Sequence, residues 1–381
     1  MAIELSNLTF TDQDDIVPQF GEEELVNTGI TNTLAGNDVI TGTGASGLKN
    51  LAIFNTDDGN DTITGTGTIN GIIIGYGSIL DTGNGQDVII GTGTINGFVN
   101  LGTFNTSDGN DVITGTGDYG FDNVGTLNTD DGNDTITAIG TIDGFVNVGT
   151  LNTDDGNDVI TGIGSSGIDN AGIINTGNGE DSIISQGKFS NYGGVFLGDD
   201  NDSIIADTDF PNRALENFNF IGTGDGNDTI TSTGVIYNQG VIETGNGDDS
   251  IIVDGDIDGT GTGYGIYNNG GAINTGNGND IIIANEGFES GPNSSGAWFL
   301  GEGEDYIKGF GSGDFYGGNG LDILELTPGS YTVGIWGEGG ESPIFTKGNQ
   351  LMITSDFEIL LAGGTVYDFA SLTAGQIITV A

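Results

Sequence analysis

A skeleton of Gly-x-Asp-x-aliphatic returns thirteen times along this chain, so the fold has to place thirteen equivalent turns in equivalent surroundings. One full form is Asn55-Thr56-Asp57-Asp58-Gly59-Asn60-Asp61-Thr62-Ile63, and it recurs almost unchanged at 128–136 and 152–160. The anchoring aspartates are Asp38, Asp61, Asp87, Asp111, Asp134, Asp158, Asp181, Asp202, Asp228, Asp249, Asp280, Asp305 and Asp322. Glycine stands two residues before the anchor in every copy except one, where Asp200 replaces it. Isoleucine stands two residues after it in every copy except the last, where Leu324 does.

Successive anchors lie 23, 26, 24, 23, 24, 23, 21, 26, 21, 31, 25 and 17 residues apart. Eleven residues before the anchor, nine copies carry asparagine: Asn50, Asn100, Asn123, Asn147, Asn170, Asn191, Asn217, Asn238 and Asn269. Six residues before it, asparagine recurs at Asn55, Asn105, Asn128, Asn152, Asn175 and Asn274. The length variation therefore falls after the isoleucine strand and before the first asparagine. The longest insertions are Ala206–Glu216, which holds Pro211 and Arg213, and Val253–Tyr267.

Each unit reads as two or three short strands, such as Asp111–Thr116 and Phe121–Leu127, with period-2 alternation, β-branched residues and glycine corners. No window has helical periodicity. The expected fold is all-β: a right-handed parallel β-helix (β-solenoid) of about thirteen rungs of ~24 residues, with caps at both ends. Ile63, Ile113 and Ile136 would stack inward, and the asparagines would form internal ladders at the corners. Residues 1–30 read as an N-terminal cap or leader, 31–326 as the repeats, and 327–381 as a C-terminal cap.

Composition narrows the function. Acidic residues outnumber basic ones 55 to 5, for a net charge of -50, which excludes nucleic acid because its phosphates need Lys and Arg. There is no Cys and no His, so thiolate sites, the usual zinc sites and most general-base schemes are absent. The opening, Met1-Ala2-Ile3-Glu4-Leu5-Ser6, has neither a basic nor an apolar signal region, and no stretch is long and apolar enough for a transmembrane helix.

Stacked rungs bring the anchor carboxylates into a column. Two unit charges ~4.8 Å apart at an effective dielectric of about 20 repel by roughly 3 kcal/mol, so a full column exceeds what holds a domain together. Five basic residues cannot neutralise it. Calcium can, because it accepts six to eight oxygens from carboxylates and backbone carbonyls, and the glycines let the backbone turn its carbonyls toward an ion. Asp57, Asp130 and Asp154 add carboxylates near the same turn.

The units resemble the hemolysin-type (RTX) calcium-binding nonapeptide, with Gly317-Gly318-Asn319-Gly320-Leu321-Asp322-Ile323-Leu324 as the fullest match and shorter matches at 83–87, 177–181, 224–228, 245–249, 276–280 and 301–305. The resemblance implies calcium held by the thirteen anchor aspartates and by the carbonyls of glycines such as Gly85, Gly179, Gly247 and Gly320. The motif occurs once per rung, which implies one ion row on one edge. Asp57, Ser107, Asp130 and Asp154 depart from it by replacing the earlier glycine. The intervening modules resemble rungs of autotransporter-like β-helices, and Phe357–Gly364 with the apolar terminus resembles the uncleaved signal of type I secretion.

The function expected from this reading is a secreted calcium-binding structural protein of the cell surface or extracellular matrix, a surface-layer, sheath or filament component that self-associates and is not an enzyme. An adhesin or ice-binding module is the alternative. It would use outward threonine columns, one of Thr64, Thr114, Thr137, Thr161 and Thr231 and another of Thr56, Thr106, Thr129 and Thr153. A β-helical polysaccharide-degrading enzyme is a further alternative, with Arg213 the cation to examine; a surface polysaccharide is a conceivable partner.

Overall fold

The computed structural model describes residues 2–17, 23–208, 213–255, 263–291, 296–337 and 342–381. It divides into two compact units, Met1–Gly198 and Asp199–Ala381, each built of parallel coils.

In the first unit a coil consists of three strands, as in Thr62–Thr66, Asn70–Ile74 and Ile79–Asp81. Each strand pairs in parallel with its equivalents in the neighbouring coils. Ile89 lies beside Ile63 and Ile113, and Phe98 beside Ile72 and Phe121. Alternation then sends every second side chain inward. Ile40, Ile63, Ile89, Ile113, Ile136 and Ile160 are at most 1 % exposed, and the expected inward isoleucine stack is present. Phe98 and Phe121 pack against each other inside, tilted by 35°, with ring centroids 4.5 Å apart.

The strands Asp111–Thr116 and Phe121–Leu127 expected from sequence are redrawn. One strand runs from Val112 to Asn123, and Leu127 belongs to the next, Thr126–Asn128. A register shift between Gly117 and Tyr119 lets the chain bend without leaving the ladder. The corner falls instead at Asn123, whose side chain turns inward.

That corner carries an internal asparagine ladder. The Asn100 Nδ2 donates to Asn123 Oδ1 at 2.8 Å, Asn123 to Asn147 at 2.8 Å, Asn147 to Asn170 at 2.8 Å, and each also donates to a strand carbonyl. Asn27 extends the ladder toward the N-terminus through Asn50, and Ile74 interrupts it. In the second unit the ladder runs Asn217, Asn238, Asn268. Asn268, not Asn269, therefore occupies the column: the turn from Asn268 to Ala272 is one residue longer than the equivalent turn from Asn238 to Val241, and only Asn268 has the inward side chain. Asn123→Ala is expected to destabilise the protein by about 2–4 kcal/mol, because it removes the acceptor of one Asn100 N–H and the donor to both the Asn147 Oδ1 and the Thr150 carbonyl inside the coil. An unchanged urea midpoint would contradict the ladder's role.

The second unit repeats the plan. Its first strands place Ile204, Ile230, Ile251, Ile282, Ile307 and Leu324 in one buried column. Trp298 and Phe315 stack inside it at 4.3 Å.

The ends are built differently. Ile3–Glu4 pairs in parallel with Leu25–Val26, and Ile16–Val17 with Val39–Ile40, so the described part of the N-terminal segment is itself a partial coil. At the other end Gln350–Ser355 and Ile359–Ala362 add a last parallel turn. Thr365–Asp368 then folds back antiparallel on Ile359–Ala362. Gly329–Trp336 is flanked by antiparallel Ser342–Lys347 and Ile377–Val380. The middle of the 206–216 insertion and the middle of the 253–267 insertion lie outside the described residues.

Candidate metal centre: a buried aspartate column

The turn that precedes each first strand closes its backbone with side chains. The anchor N–H cannot join a sheet, and the following anchor's carboxylate accepts it. Asp38 N–H donates to Asp61 Oδ1 at 2.7 Å, Asp61 to Asp87 at 2.7 Å, Asp87 to Asp111 at 2.7 Å, and the pattern continues through Asp134 and Asp158 to Asp181. In the second unit the same bonds link Asp202, Asp228, Asp249, Asp280, Asp305 and Asp322, at 2.8 Å for the first four and 3.1 Å for the last. Asparagine one residue before the anchor works in the opposite direction: Asn60 N–H donates to Asn37 Oδ1 and Asn157 N–H to Asn133 Oδ1, both at 2.7 Å. These asparagines went unrecognised as ladder residues in the sequence reading, although their recurrence beside the anchor was visible.

The column also extends past its motif. Asp15 N–H donates to Asp38 Oδ1 at 2.7 Å, and Ile16 pairs with Val39, so Asp15 occupies an anchor position without any Gly-x-Asp. Asp322 N–H donates to Glu358 Oε2 at 2.8 Å, so Glu358 ends the column at the C-terminal side. Neither carries the repeat's glycine, which is why periodicity alone passed over them.

All thirteen predicted anchors are at most 2 % exposed. In eleven of them, from Asp38 to Asp158 and from Asp228 to Asp322, Oδ2 is buried with no hydrogen-bond partner. A buried oxygen with no donor costs free energy, and a buried unpaired carboxylate costs more. Burial accordingly pushes the carboxyls up: Asp87 and Asp158 to about 8, Asp134 and Asp280 to about 7, and Asp61, Asp111, Asp249, Asp305 and Asp322 to about 6. Asp38 and Asp228 are raised by the same cause.

The threonine five residues before the anchor lies inside the coil too. Thr56, Thr106, Thr129 and Thr153, expected to form an outward column, are all fully buried. Alternation decides it: Leu127 points in, Asn128 out and Thr129 in. A threonine hydroxyl beside the anchor lowers the carboxyl's pKa when it turns toward it. It has one proton, however, and Thr56 and Thr153 give theirs to the carbonyls of Thr82 and Thr176, at 3.0 and 3.2 Å. The carboxylate Oδ2 is left without it. The other column, with Thr64, Thr114, Thr137 and Thr161, does lie on the outside.

The glycines shape the backbone beside this column. A Cβ on Gly85 would lie 1.7 Å from the Gly59 carbonyl oxygen, one on Gly179 1.9 Å from that of Gly156, one on Gly247 1.8 Å from that of Gly226, and one on Gly320 1.5 Å from that of Gly303. Each carbonyl thus points along the stack at the α-carbon of the next turn's glycine, leaving no room for a side chain. Four residues before the anchor the chain is left-handed whether or not glycine is there: φ is +60° at Asp57, +62° at Ser107, +57° at Asp130 and Asp154, and +77° at Gly83. The substitutions that depart from the nonapeptide therefore keep its backbone path.

The donor set suits a hard cation in kind: orphaned carboxylate oxygens in register, with main-chain carbonyls running the same way. Among the described residues, no three His, Cys, Asp or Glu side chains converge on one point. An ion would therefore have to draw on two consecutive anchors together with carbonyl oxygens. Neither the Arg213–Glu216 pair at 3.0 Å nor the Lys308–Glu325 pair at 3.4 Å involves an anchor. Outside the column, Gly83 opens a depression of about 430 Å³ lined by Asn55, Asp57, Asp58, Asp81 and Ser107 among others.

No protein-family model matches the chain, and no curated protein does. Among solved structures, it is similar to the X-ray crystal structure of a hyperactive, Ca2+-dependent, β-helical antifreeze protein from an Antarctic bacterium, at 18 % identity, with 96 % of this chain and 93 % of that chain covered and a TM-score of 0.40.

Proposed function

We propose that this chain is a secreted calcium-binding structural protein of the cell surface or extracellular matrix, with its solenoid completed by divalent cations along the aspartate column. The observation that carries the reading is the unpartnered, buried Oδ2 found in eleven of the thirteen anchors. Consecutive anchors such as Asp87 and Asp111, with turn carbonyls such as that of Gly85, would hold each ion. A bound cation supplies the positive charge that lets these carboxylates stay ionised inside the protein. Calcium fits better than magnesium, which keeps several waters and demands strict octahedral geometry, whereas these oxygens are shut away from solvent.

A scaffold role follows from what the side chains are occupied with. Carboxylates and amides alike are spent on ladders that repeat from turn to turn, and among the described residues no three metal-binding side chains gather at one point to interrupt them. Arg213, the cation a lyase would need, is stacked over Tyr237 at 3.5 Å and paired with Glu216. We therefore read the chain as non-enzymatic. Export through a C-terminal signal of the type I kind belongs to the same proposal: a polyanion unfolded at low calcium would fold at millimolar calcium outside the cell.

Calcium titrated into chelator-stripped protein, followed by circular dichroism, tests the reading. A cooperative gain of β-signal at pH 7.5, with magnesium ineffective at the same concentration, is expected. A β-signal already complete in chelator and unaltered thermal stability with calcium would sink it.

A further inference from the structure

The outer surface of the first strands in the first unit is unbroken by charge over five consecutive turns. In the five consecutive strands from Thr62–Thr66 to the Val159–Ile163 stretch, the outward positions are nine threonines, three valines and three isoleucines. All fifteen are β-branched and none is charged, on a protein with 55 acidic residues. Val39 and Thr41 continue this surface on one side, Ser182 and Ile184 on the other. The neighbouring outer surfaces are charged: Asp122 and Asp169 stand near the far ends of the long strands Val112–Asn123 and Val159–Asn170, and Asp81 on a third strand, Ile79–Asp81. In the second unit the equivalent strands carry Lys308 and Glu325.

We propose that this charge-free face is a lateral interface on which a second copy of the same chain docks face to face. The inference deepens the structural reading above and stands whether or not the column holds calcium. Charge selects the occupant. Two copies each carrying -50 can approach closely only where neither presents a carboxylate, and this surface meets that condition on both sides of a two-fold contact. β-Branched side chains in strands already have few rotamers, so little freedom is lost when they interdigitate with an opposing sheet ~10 Å away.

Size sets the strength. Seven strands at ~4.8 Å and three outward positions per strand give roughly 500 Å² per copy, or about 1,000 Å² in all, the lower bound for a specific interface. With no aromatic or arginine anchor on the face, the dimer is weak and reversible. Because charge elsewhere opposes it and screening acts within ~8 Å at physiological ionic strength, salt strengthens association rather than weakening it.

Sedimentation velocity of the full chain from about 1 to 300 μM, in calcium and in chelator, at low and at moderate salt, reads this directly. Expected is a concentration-dependent dimer that tightens with salt. T114E with T137E, two outward neighbours at the centre of the face, should weaken it at least ~10-fold. T126E with T150E adds the same charge to the third strands and should leave the dimer in place. Circular dichroism confirms that each variant is folded. Failure of calcium to change folding would count against the cation column and leave this test intact. A wild-type monomer across the whole range, or a dimer unaffected by T114E/T137E, overturns the proposal. So would a monomer that halts ice growth through this face, since the occupant would then be ordered water.

Discussion

Stripped of divalent cations, the protein is expected to be more stable at pH 5 than at pH 8. Most globular proteins lose stability as acid protonates their paired carboxylates, and here the sign is reversed. Eleven of the anchors have folded pKa values above the unfolded aspartate value of 3.8, up to about 8 at Asp87 and Asp158. Well below pH 3.8 both states hold their protons and the stabilisation is whole. As pH rises, the unfolded chain ionises first, and the folded state falls behind until pH passes its own higher values. Each carboxyl held near 8 loses about 1.4 kcal/mol per pH unit across that window, so two of them between pH 5 and 8 account for about 8 kcal/mol, comparable with the whole stability of a domain. Urea midpoints in chelator at several pH values measure this. With calcium present the slope should disappear, because the cation replaces the proton as the neutralising group. Stability in chelator that is flat or rises with pH would show that the anchors are not buried as described.

The second large effect is an opposite response of one variant to calcium. Asp134 Oδ1 accepts the Asp111 N–H at 2.8 Å, and its Oδ2 has no partner. Asp134→Asn keeps an acceptor for that N–H and removes the charge. In chelator at pH 8 it is expected to stabilise the protein by about 1–3 kcal/mol, since a buried carboxylate near pKa 7 no longer has to ionise or hold a proton. In calcium it is expected to destabilise by a similar amount and to lower the number of ions bound. Asp134→Ala removes the acceptor as well, leaves the Asp111 N–H without a partner, and should cost about 1–3 kcal/mol in both conditions. Thermal melts of the three proteins with and without calcium decide it. Parallel shifts of Asp134→Asn in both conditions would mean the column has no cation to lose.

Much of the architecture was legible because it repeats. Ile63, Ile113 and Ile136 recur two residues after the anchor, and stacking equivalent residues in register follows from a parallel solenoid. Asn100, Asn123, Asn147 and Asn170 recur in the same way, and a buried amide can satisfy itself only by bonding to its copies above and below. Where the interval varied, counting failed. Asn269 keeps the arithmetic distance from its anchor, yet Asn268 enters the ladder, because the turn between it and Ala272 holds one residue more than its equivalents.

Facing was harder to read than register. Thr56, Thr106, Thr129 and Thr153 look like surface strand residues until the inward leucine two places earlier, as at Leu127 and Leu151, fixes the alternation. Thr114 and Thr137 obey the same rule with the opposite result. Asp15 and Glu358 lacked the glycine that marked the other anchors, and only their strand pairing reveals them. The depth of the carboxylates was also hidden. Sequence spacing aligns the anchors on one edge, but it does not show that Oδ1 is committed to the neighbouring turn while Oδ2 faces inward without a donor.

Two groups can neutralise that buried column, a proton or a cation, and infrared spectroscopy separates them. The carbonyl stretch of a protonated carboxylic acid lies apart from the bands of the ionised form. The measurement is that band at pH 7, in chelator and then with saturating calcium, alongside bound calcium counted by equilibrium dialysis. A protonated-acid band in chelator that vanishes as several calcium ions bind per chain is the expected result. A band that persists unchanged in calcium, with less than one ion bound per chain, would mean that protons close the column and that calcium has no place in this fold.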